Sequence, residues 1–305
     1  MFFLREKIEK FIKDAINEHR EFAYGGRGDE FYTQESDVQD ILTTLCDELR
    51  GKVVYCPCAN PKMSYFYKFL KENFSKFGLR GLYTTWMENK VCYFDGQDEH
   101  ITPIKSGRFQ DTGEYFDLCD VVITNPPFSD GQPKEMLKMI TDRGKECIMI
   151  ADKAFTQLQS VFKYVRNGSL RSLDKKIDKF DRPDGSKGRA PAAVYTNLKR
   201  TVPFFQTGVK YDPKKHHKFD DYDAIDCGDD YRTIPDDYYG NIAISSNGGG
   251  FLAHLNDDQF EIVDDLVRPK MNGVPKKRMI IRRKPQQKSI YSEALLKMKE
   301  ELGIK

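Results

Sequence analysis

The sequence predicts an α/β fold: a parallel sheet with helices on both faces, joined to a smaller, irregular α+β portion. Three observations predict it. Between residues 37 and 151, short apolar runs alternate with stretches of helical periodicity, the pattern of strand–helix–strand units. Those runs are continuously apolar, as in strands covered on both faces. Further on, Gly, Pro, Asp and Tyr crowd into 181–188 and 211–240 and interrupt regular elements.

Taken in order, Phe2, Phe3, Ile8, Phe11, Ile12, Ala15 and Ile16 fall at helical spacing and predict an amphipathic helix over 2–22. It stops before Gly25-Gly26-Arg27-Gly28. With no strand before it and no Lys-Ser/Thr after it, that run is a hinge and not a phosphate loop. A helix is expected over 37–48, then a buried strand Val53-Val54-Tyr55-Cys56 closed by Pro57 and Pro61. The next helix covers 65–77, with Phe66, Phe69, Leu70 and Phe74 on one face, and 78–85 reads as a short strand. Residues 118–124 form a clean buried strand that ends at Asn125, followed by a helix at 134–143 and a strand at 147–151. In parallel sheets of this kind ligands bind at the carboxyl ends of the strands, where the unusual residues of this sequence sit. Later, 279–281 is a strand in basic surroundings and 292–302 a terminal helix. The chain thus divides into an extension at 1–28, a main domain at 29–205, a smaller portion at 206–288 and a final helix at 289–305.

Composition fits an ordinary globular protein: 305 residues, 39% hydrophobic and 31% charged. No window approaches the roughly 18 apolar residues of a membrane-spanning helix. The first residues mix Arg5, Glu6, Lys7, Glu9 and Lys10 among the apolar ones, unlike a signal peptide. Seven cysteines, an odd number, point to free thiols in a reducing cytoplasm. Charge is blocky beneath a net +2. Residues 151–218 hold 16 Lys/Arg against 6 Asp/Glu, 219–268 hold 2 against 13, and 269–288 hold 8 against none. Two basic blocks around an acidic one suggest a polyanion-binding surface with a self-neutralising segment.

The most informative stretch is Asn125-Pro126-Pro127-Phe128, at the end of a buried strand. Two prolines lock the backbone and remove two donors. The Asn125 side-chain oxygen and the Pro126 carbonyl are then two acceptors for the two hydrogens of an exocyclic amino group. Phe128 offers a face on which a heterocycle can stack.

This turn resembles the catalytic motif of amino-group methyltransferases that use S-adenosyl-L-methionine, and the surrounding chain resembles the EcoRI-type adenine-N6 DNA methyltransferases. The matching stretches are Asp29-Glu30-Phe31-Tyr32-Thr33-Gln34, Val53-Val54-Tyr55-Cys56-Pro57-Cys58 with Asn60-Pro61, residues 120–129, Tyr195-Thr196-Asn197-Leu198, Ile234-Pro235-Asp236-Asp237-Tyr238, Asp258-Gln259-Phe260-Glu261-Ile262 and residues 278–283. They run in the family's order over about 255 residues and leave 1–28 outside.

The resemblance implies a Rossmann-like methyltransferase sheet at 29–205, a DNA target-recognition portion at 206–288, and double-stranded DNA as partner. It implies that Phe31, Tyr32 and Thr33 pack beside the methionine part of the cofactor. Cys56, Pro57, Cys58 and Asn60 form the first cofactor loop, and Phe109 lies against the cofactor adenine. Asn125, Pro126, Pro127 and Phe128 are the catalytic turn. Tyr195 sandwiches the flipped base with Phe128, and Lys199 and Arg200, among the Lys/Arg of 163–218 and 270–284, meet the DNA. Two positions depart from the family: Ala59 replaces the first of an acidic pair, and Arg108 stands where an aspartate could accept from the cofactor's adenine amino group. Two other readings stand beside this one: a catalytically weak or inactive DNA-binding or decoy relative, in which Ala59 and Arg108 impair cofactor binding, and a methyltransferase that acts on RNA or protein amides. Phe128 in place of Tyr argues against amides.

Three weaker signals have plain structural readings. Cys56 and Cys58 with His216 and His217 lack zinc-site spacing and are expected to be buried thiols, so no metal is expected. The run 245–250 is either a mobile loop over DNA or a surface turn. Glu88, near a strand end where an acid could meet a ribose, is expected to be an exposed glutamate.

Overall fold

The computed structural model describes residues 31–129, 131–182, 185–199 and 201–285. The helices expected over 2–22 and 292–302, and the hinge at 25–28, lie outside the described residues. The chain forms two compact units. One runs to Thr201 and takes in Ser246–Ala253; the other comprises Val202–Ser245 and the chain from His254 on.

The larger unit begins with β1 (Tyr32–Thr33), α1 (Glu35–Thr44), α2 (Cys46–Leu49) and β2 (Val53–Cys56). There follow α3 (Tyr65–Glu72), α4 (Phe74–Phe77), β3 (Gly81–Trp86), β4 (Lys90–Phe94) and β5 (Glu99–Pro103). It continues with α5 (Gly113–Leu118), β6 (Val121–Thr124), α6 (Gln132–Asp142), β7 (Glu146–Asp152), α7 (Gln159–Arg166), β8 (Arg171–Asp181) and β9 (Lys187–Thr196). The single helix expected over 65–77 is broken at Asn73, whose side chain donates to the Phe69 carbonyl at 2.9 Å and competes with the helical ladder.

The nine strands lie in the order β1-β8-β9-β7-β6-β2-β3-β4-β5. Only β7, β6, β2 and β3 are mutually parallel, and both flanks are antiparallel. The sheet is therefore mixed: the strands expected around 53–56, 78–85, 121–124 and 147–151 form its parallel centre, and antiparallel strands extend it on both flanks. After β2 the chain builds β3 on one side and later returns to place β6 on the other. The crevice between the carboxyl ends of β2 and β6 is thus a topological switch point.

Helices cover both faces. Val54, Val121, Ile123, Ile148 and Ile150 share one core with Val38, Ile41, Leu42, Phe66 and Leu70 of α1 and α3. On the opposite face Tyr55 meets Phe116 of α5 edge-on, 5.1 Å between centroids. Its hydroxyl bonds to Thr85 and Thr112 at 2.6 and 2.8 Å.

The smaller unit holds β10 (Ile225–Gly228), β11 (Asn241–Ile244), β12 (Phe260–Ile262), the pair β13 (Lys270–Met271) and β14 (Val274–Pro275), and β15 (Met279–Arg283). Its four-stranded sheet has the order β10-β11-β15-β12, which puts the strand expected at 279–281 in its interior. Among the described residues no helix is long and apolar enough to cross a membrane. All seven cysteines are free.

Candidate functional site

At the carboxyl ends of β2, β3 and β6 lies a cavity of about 820 Å³, within the usual range for a small-molecule site. Three loops make its walls.

The loop after β2 supplies Pro57, Cys58 and Asn60. Cys58 takes a left-handed conformation at φ 60°, the backbone state a glycine adopts without strain. The Ala59 N–H donates to the Thr85 carbonyl at 3.1 Å, and the Thr84 hydroxyl bonds the carbonyls of Cys56 and Ala59. These bonds hold the turn in place. Burial pushes the Cys58 thiol up to about 12, so no thiolate nucleophile stands at the wall. Ser64 caps α3 and reaches the cavity with Tyr65 and Phe66.

The loop after β3 supplies Trp86, Met87 and Glu88, with residues 107–110 folded against them. Gly107 makes that approach possible: a Cβ there would sit 1.8 Å from the Trp86 carbonyl oxygen. Phe109, 2% exposed, is thereby fixed in the wall. Glu88 is exposed, and the Lys90 ammonium 3.2 Å away holds its carboxyl below the ordinary range.

The turn after β6 supplies Asn125, Pro126 and Pro127. The Asn125 amide nitrogen donates to the Phe31 carbonyl. That bond sets the side chain's rotation, and Oδ1 is left buried with no hydrogen-bond partner. Thr33 Oγ1, also in the wall, is likewise buried and unpartnered. Phe31 is seated between Phe128 and Phe180, at 6.1 and 5.5 Å.

Of the residues singled out from the sequence, the cavity brings together Phe31, Tyr32 and Thr33, then Pro57, Cys58 and Asn60, then Phe109, and finally Asn125, Pro126 and Pro127. The structure departs from expectation at four others. Cys56 ends β2 fully buried behind the wall, because its side chain points into the core shared with α1 and α3. Phe128 is 2% exposed and packs on Phe31 and Phe180 instead of presenting a face to the cavity. Tyr195, next to last in β9, is 0% exposed, its hydroxyl donating to the carbonyls of Asp152 and Lys153 at 2.9 and 3.0 Å. Lys199 is exposed, but β9 runs antiparallel to β7 and carries it to the amino edge of the sheet, away from the cavity. Arg200 lies outside the described residues.

Sequence reasoning missed Ser64, Tyr65 and Phe66, and also Gln132 and Glu135 of α6. A usable signal existed for both groups: each opens the helix that follows a parallel strand, at the ligand-binding edge.

The basic block 270–284 is largely occupied within the smaller unit. Arg278 pairs with Asp226 at 2.8 Å, Arg283 with Asp236 at 3.0 Å, and Arg282 with Asn241 and Glu261. The expected phosphate contacts are thus corrected for these three arginines, whose charge the acidic block absorbs. His216 is held by the backbone of Asp212 and Thr233. Among the described residues no three His, Cys, Asp or Glu are grouped to hold a metal.

Comparison with known proteins places these features in context. The sequence model of the family described as "Adenine-specific methyltransferase EcoRI" matches residues 21–106 and 95–302. The Type II methyltransferase M.MpnI of Mycoplasma pneumoniae is 26% identical over 274 residues, 80% of this chain and 84% of that protein. M.MgeORF184P of Mycoplasma genitalium, also a Type II methyltransferase, is 25% identical over 82% of this chain and 87% of its own. The Type II methyltransferase M.EcoRI of Escherichia coli is 26% identical over 82% and 90%.

Proposed function

The chain belongs to the EcoRI adenine-specific methyltransferase family, and from that premise we propose that it methylates the exocyclic N6 nitrogen of an adenine at a specific site in duplex DNA. S-adenosylmethionine is the methyl donor that family membership implies. The observation that carries the reading is the buried, unpartnered Asn125 Oδ1 at the cavity wall. Leaving a buried acceptor unsatisfied costs about 1–3 kcal/mol. The cost is met here at a position where the N–H of a bound ligand can offset it.

The residues present fit the cofactor. Phe109, Trp86 and Tyr65 offer aromatic surface for a purine, while Thr33 Oγ1, Ser64 and Asn60 offer polar groups for an amino-acid end. When bound, S-adenosylmethionine supplies an electrophilic sulfonium methyl group. The protein's part is to present the nucleophile. Asn125 Oδ1 accepts one amino hydrogen and the Pro126 carbonyl the other, which raises electron density on the nitrogen and fixes its orientation. Neither proline brings an N–H that could turn the local field against the amine. The target adenine leaves the duplex stack to reach the cavity, since its amino group is inaccessible within the helix.

The test is methyl transfer from radiolabelled S-adenosylmethionine to a mixed duplex DNA pool, followed by nucleoside analysis. Label is expected in N6-methyladenine. Label in a methylated cytosine would overturn the base assignment, and label only in RNA or protein would overturn the substrate.

A further inference from the structure

The hairpin of β8 and β9 overhangs the carboxyl edge of the sheet. Ala192 pairs with Asp152, the last residue of β7, so residues 187–191 of β9 and 178–181 of β8 run beyond it. The two faces of this overhang differ. Inward, Phe180 packs against Phe31 and Phe128, at 5.5 and 5.8 Å. Gly188 leaves room for Phe31, whose ring a Cβ would meet at 2.3 Å. Outward, Lys179 stands directly opposite Arg189, and both are exposed.

Like charges directly across a strand pair destabilise it, so this arrangement works against the fold. The adjacent carboxylates do not relieve it. Asp181 is taken by Lys187, and Asp178 lies 3.6 Å from Lys176. Among the described residues neither Lys179 nor Arg189 has an ion-pair partner. A polyanion lying across the hairpin converts the repulsion into attraction.

We propose that Lys179 and Arg189 bind backbone phosphates of the duplex that carries the target base. The inference rests on the DNA reading above and adds a surface to it. The location suits the role. β8 pairs with β1, whose Tyr32 and Thr33 line the cavity. Strands lie about 4.8 Å apart, so the backbones of β8 and β9 that carry Lys179 and Arg189 run about 5 and 10 Å from β1. A duplex carries one charge per about 1.7 Å of its axis, so several phosphates fall within that span. Arg189 offers a fork of donors to a phosphate and Lys179 a compact charge. Within the basic stretches 163–218 and 270–284 other cations are less suited: Lys199 lies at the opposite edge, and Arg278, Arg282 and Arg283 are paired at home.

The test compares the wild-type chain with the K179Q/R189Q double variant, by anisotropy titration of a fluorescein-labelled mixed-sequence duplex across about 50–200 mM salt. The log–log salt slope is expected to fall by about 2 in magnitude, with weaker binding at every salt concentration. Lys76→Gln, on the helix that feeds the amino end of β3, is expected to leave the slope unchanged. The double variant should keep its affinity for S-adenosylmethionine. It should melt no lower than wild type, because a repulsion has been removed; a purely structural role for the pair would lower the melting point. An unchanged slope in a chain that still binds duplex overturns the inference alone. A wild-type chain that binds no duplex overturns the DNA reading together with it.

Discussion

In the smaller unit Arg278 and Asp226, 11% and 12% exposed, meet at 2.8 Å, and Arg283 reaches Asp236 while stacking over the Phe260 ring at 4.7 Å. In the larger unit Asn125 and Thr33 each bring a buried polar atom to a cavity wall and leave it without a partner. Both units bury polar chemistry, but these ion pairs of the smaller unit are satisfied at home, while the cavity wall of the larger unit holds buried polar atoms without a partner. A satisfied ion pair fixes its own fold and has nothing left for a ligand. An unsatisfied acceptor weakens the fold slightly and is available to whatever enters the cavity. The contrast separates structural from functional polarity without reference to charge, and it runs against the sequence, where the block of arginines looked like the binding surface.

The comparison can be broken by removing one group from each side. Asp226→Ala leaves Arg278 buried without its carboxylate and is expected to cost about 3–5 kcal/mol in urea unfolding. A loss under about 1 kcal/mol would mean that the pair is not what holds β10 to its surroundings. Asn125→Ala is expected to do the reverse. Stability should stay within about 1 kcal/mol, because an unsatisfied acceptor goes together with one hydrogen bond. Methyl transfer should fall by at least about a hundredfold, with S-adenosylmethionine and duplex still bound. Large destabilisation by Asn125→Ala would assign the residue to the fold and remove the contrast.

What the sequence made legible follows the same division between local and distant information. The strands at 53–56 and 121–124 announce themselves as continuous apolar runs, and the Asn-Pro-Pro-Phe turn concentrates its chemistry in four consecutive residues. The antiparallel flanks were not legible. All five positions of β5 are exposed, and β8 is crowded with charge, so neither shows the apolar pattern that marks a strand. Tyr195 and Lys199 were misplaced because their position depends on the direction of β9, which no local pattern encodes. The arginines at 278 and 283 were misread because their carboxylates lie 52 and 47 residues away in the chain.

Alkaline pH acts on buried thiols of both units. Burial pushes Cys58, Cys119 and Cys147 of the larger unit, and Cys227 of the smaller, up to about 12. The unfolded chain releases these protons near pH 9, while the folded chain holds them until near pH 12. Stability is therefore fully present below pH 9 and lost between pH 9 and 12, at up to about 1.4 kcal/mol per pH unit for each thiol. Urea midpoints measured across that window should decline, and Cys147→Ala should remove about one proton from the slope. A flat profile above pH 9 would mean that the thiols are more solvated than their burial indicates.

The smallest expected effect concerns the departure at Arg108. Its side chain is exposed at the cavity wall, while its backbone does the structural work: its carbonyl accepts the Asp111 N–H at 2.9 Å and its N–H donates to Ser106 Oγ at 3.3 Å. A substitution can therefore change the wall's chemistry and leave the turn at Phe109 standing. Arginine has donors only, so it cannot accept from an adenine amino group, and a carboxylate can. Arg108→Asp is expected to tighten S-adenosylmethionine binding by about 1 kcal/mol, roughly fivefold, in calorimetric titration. Weaker binding in the variant would show that the guanidinium itself serves the ligand.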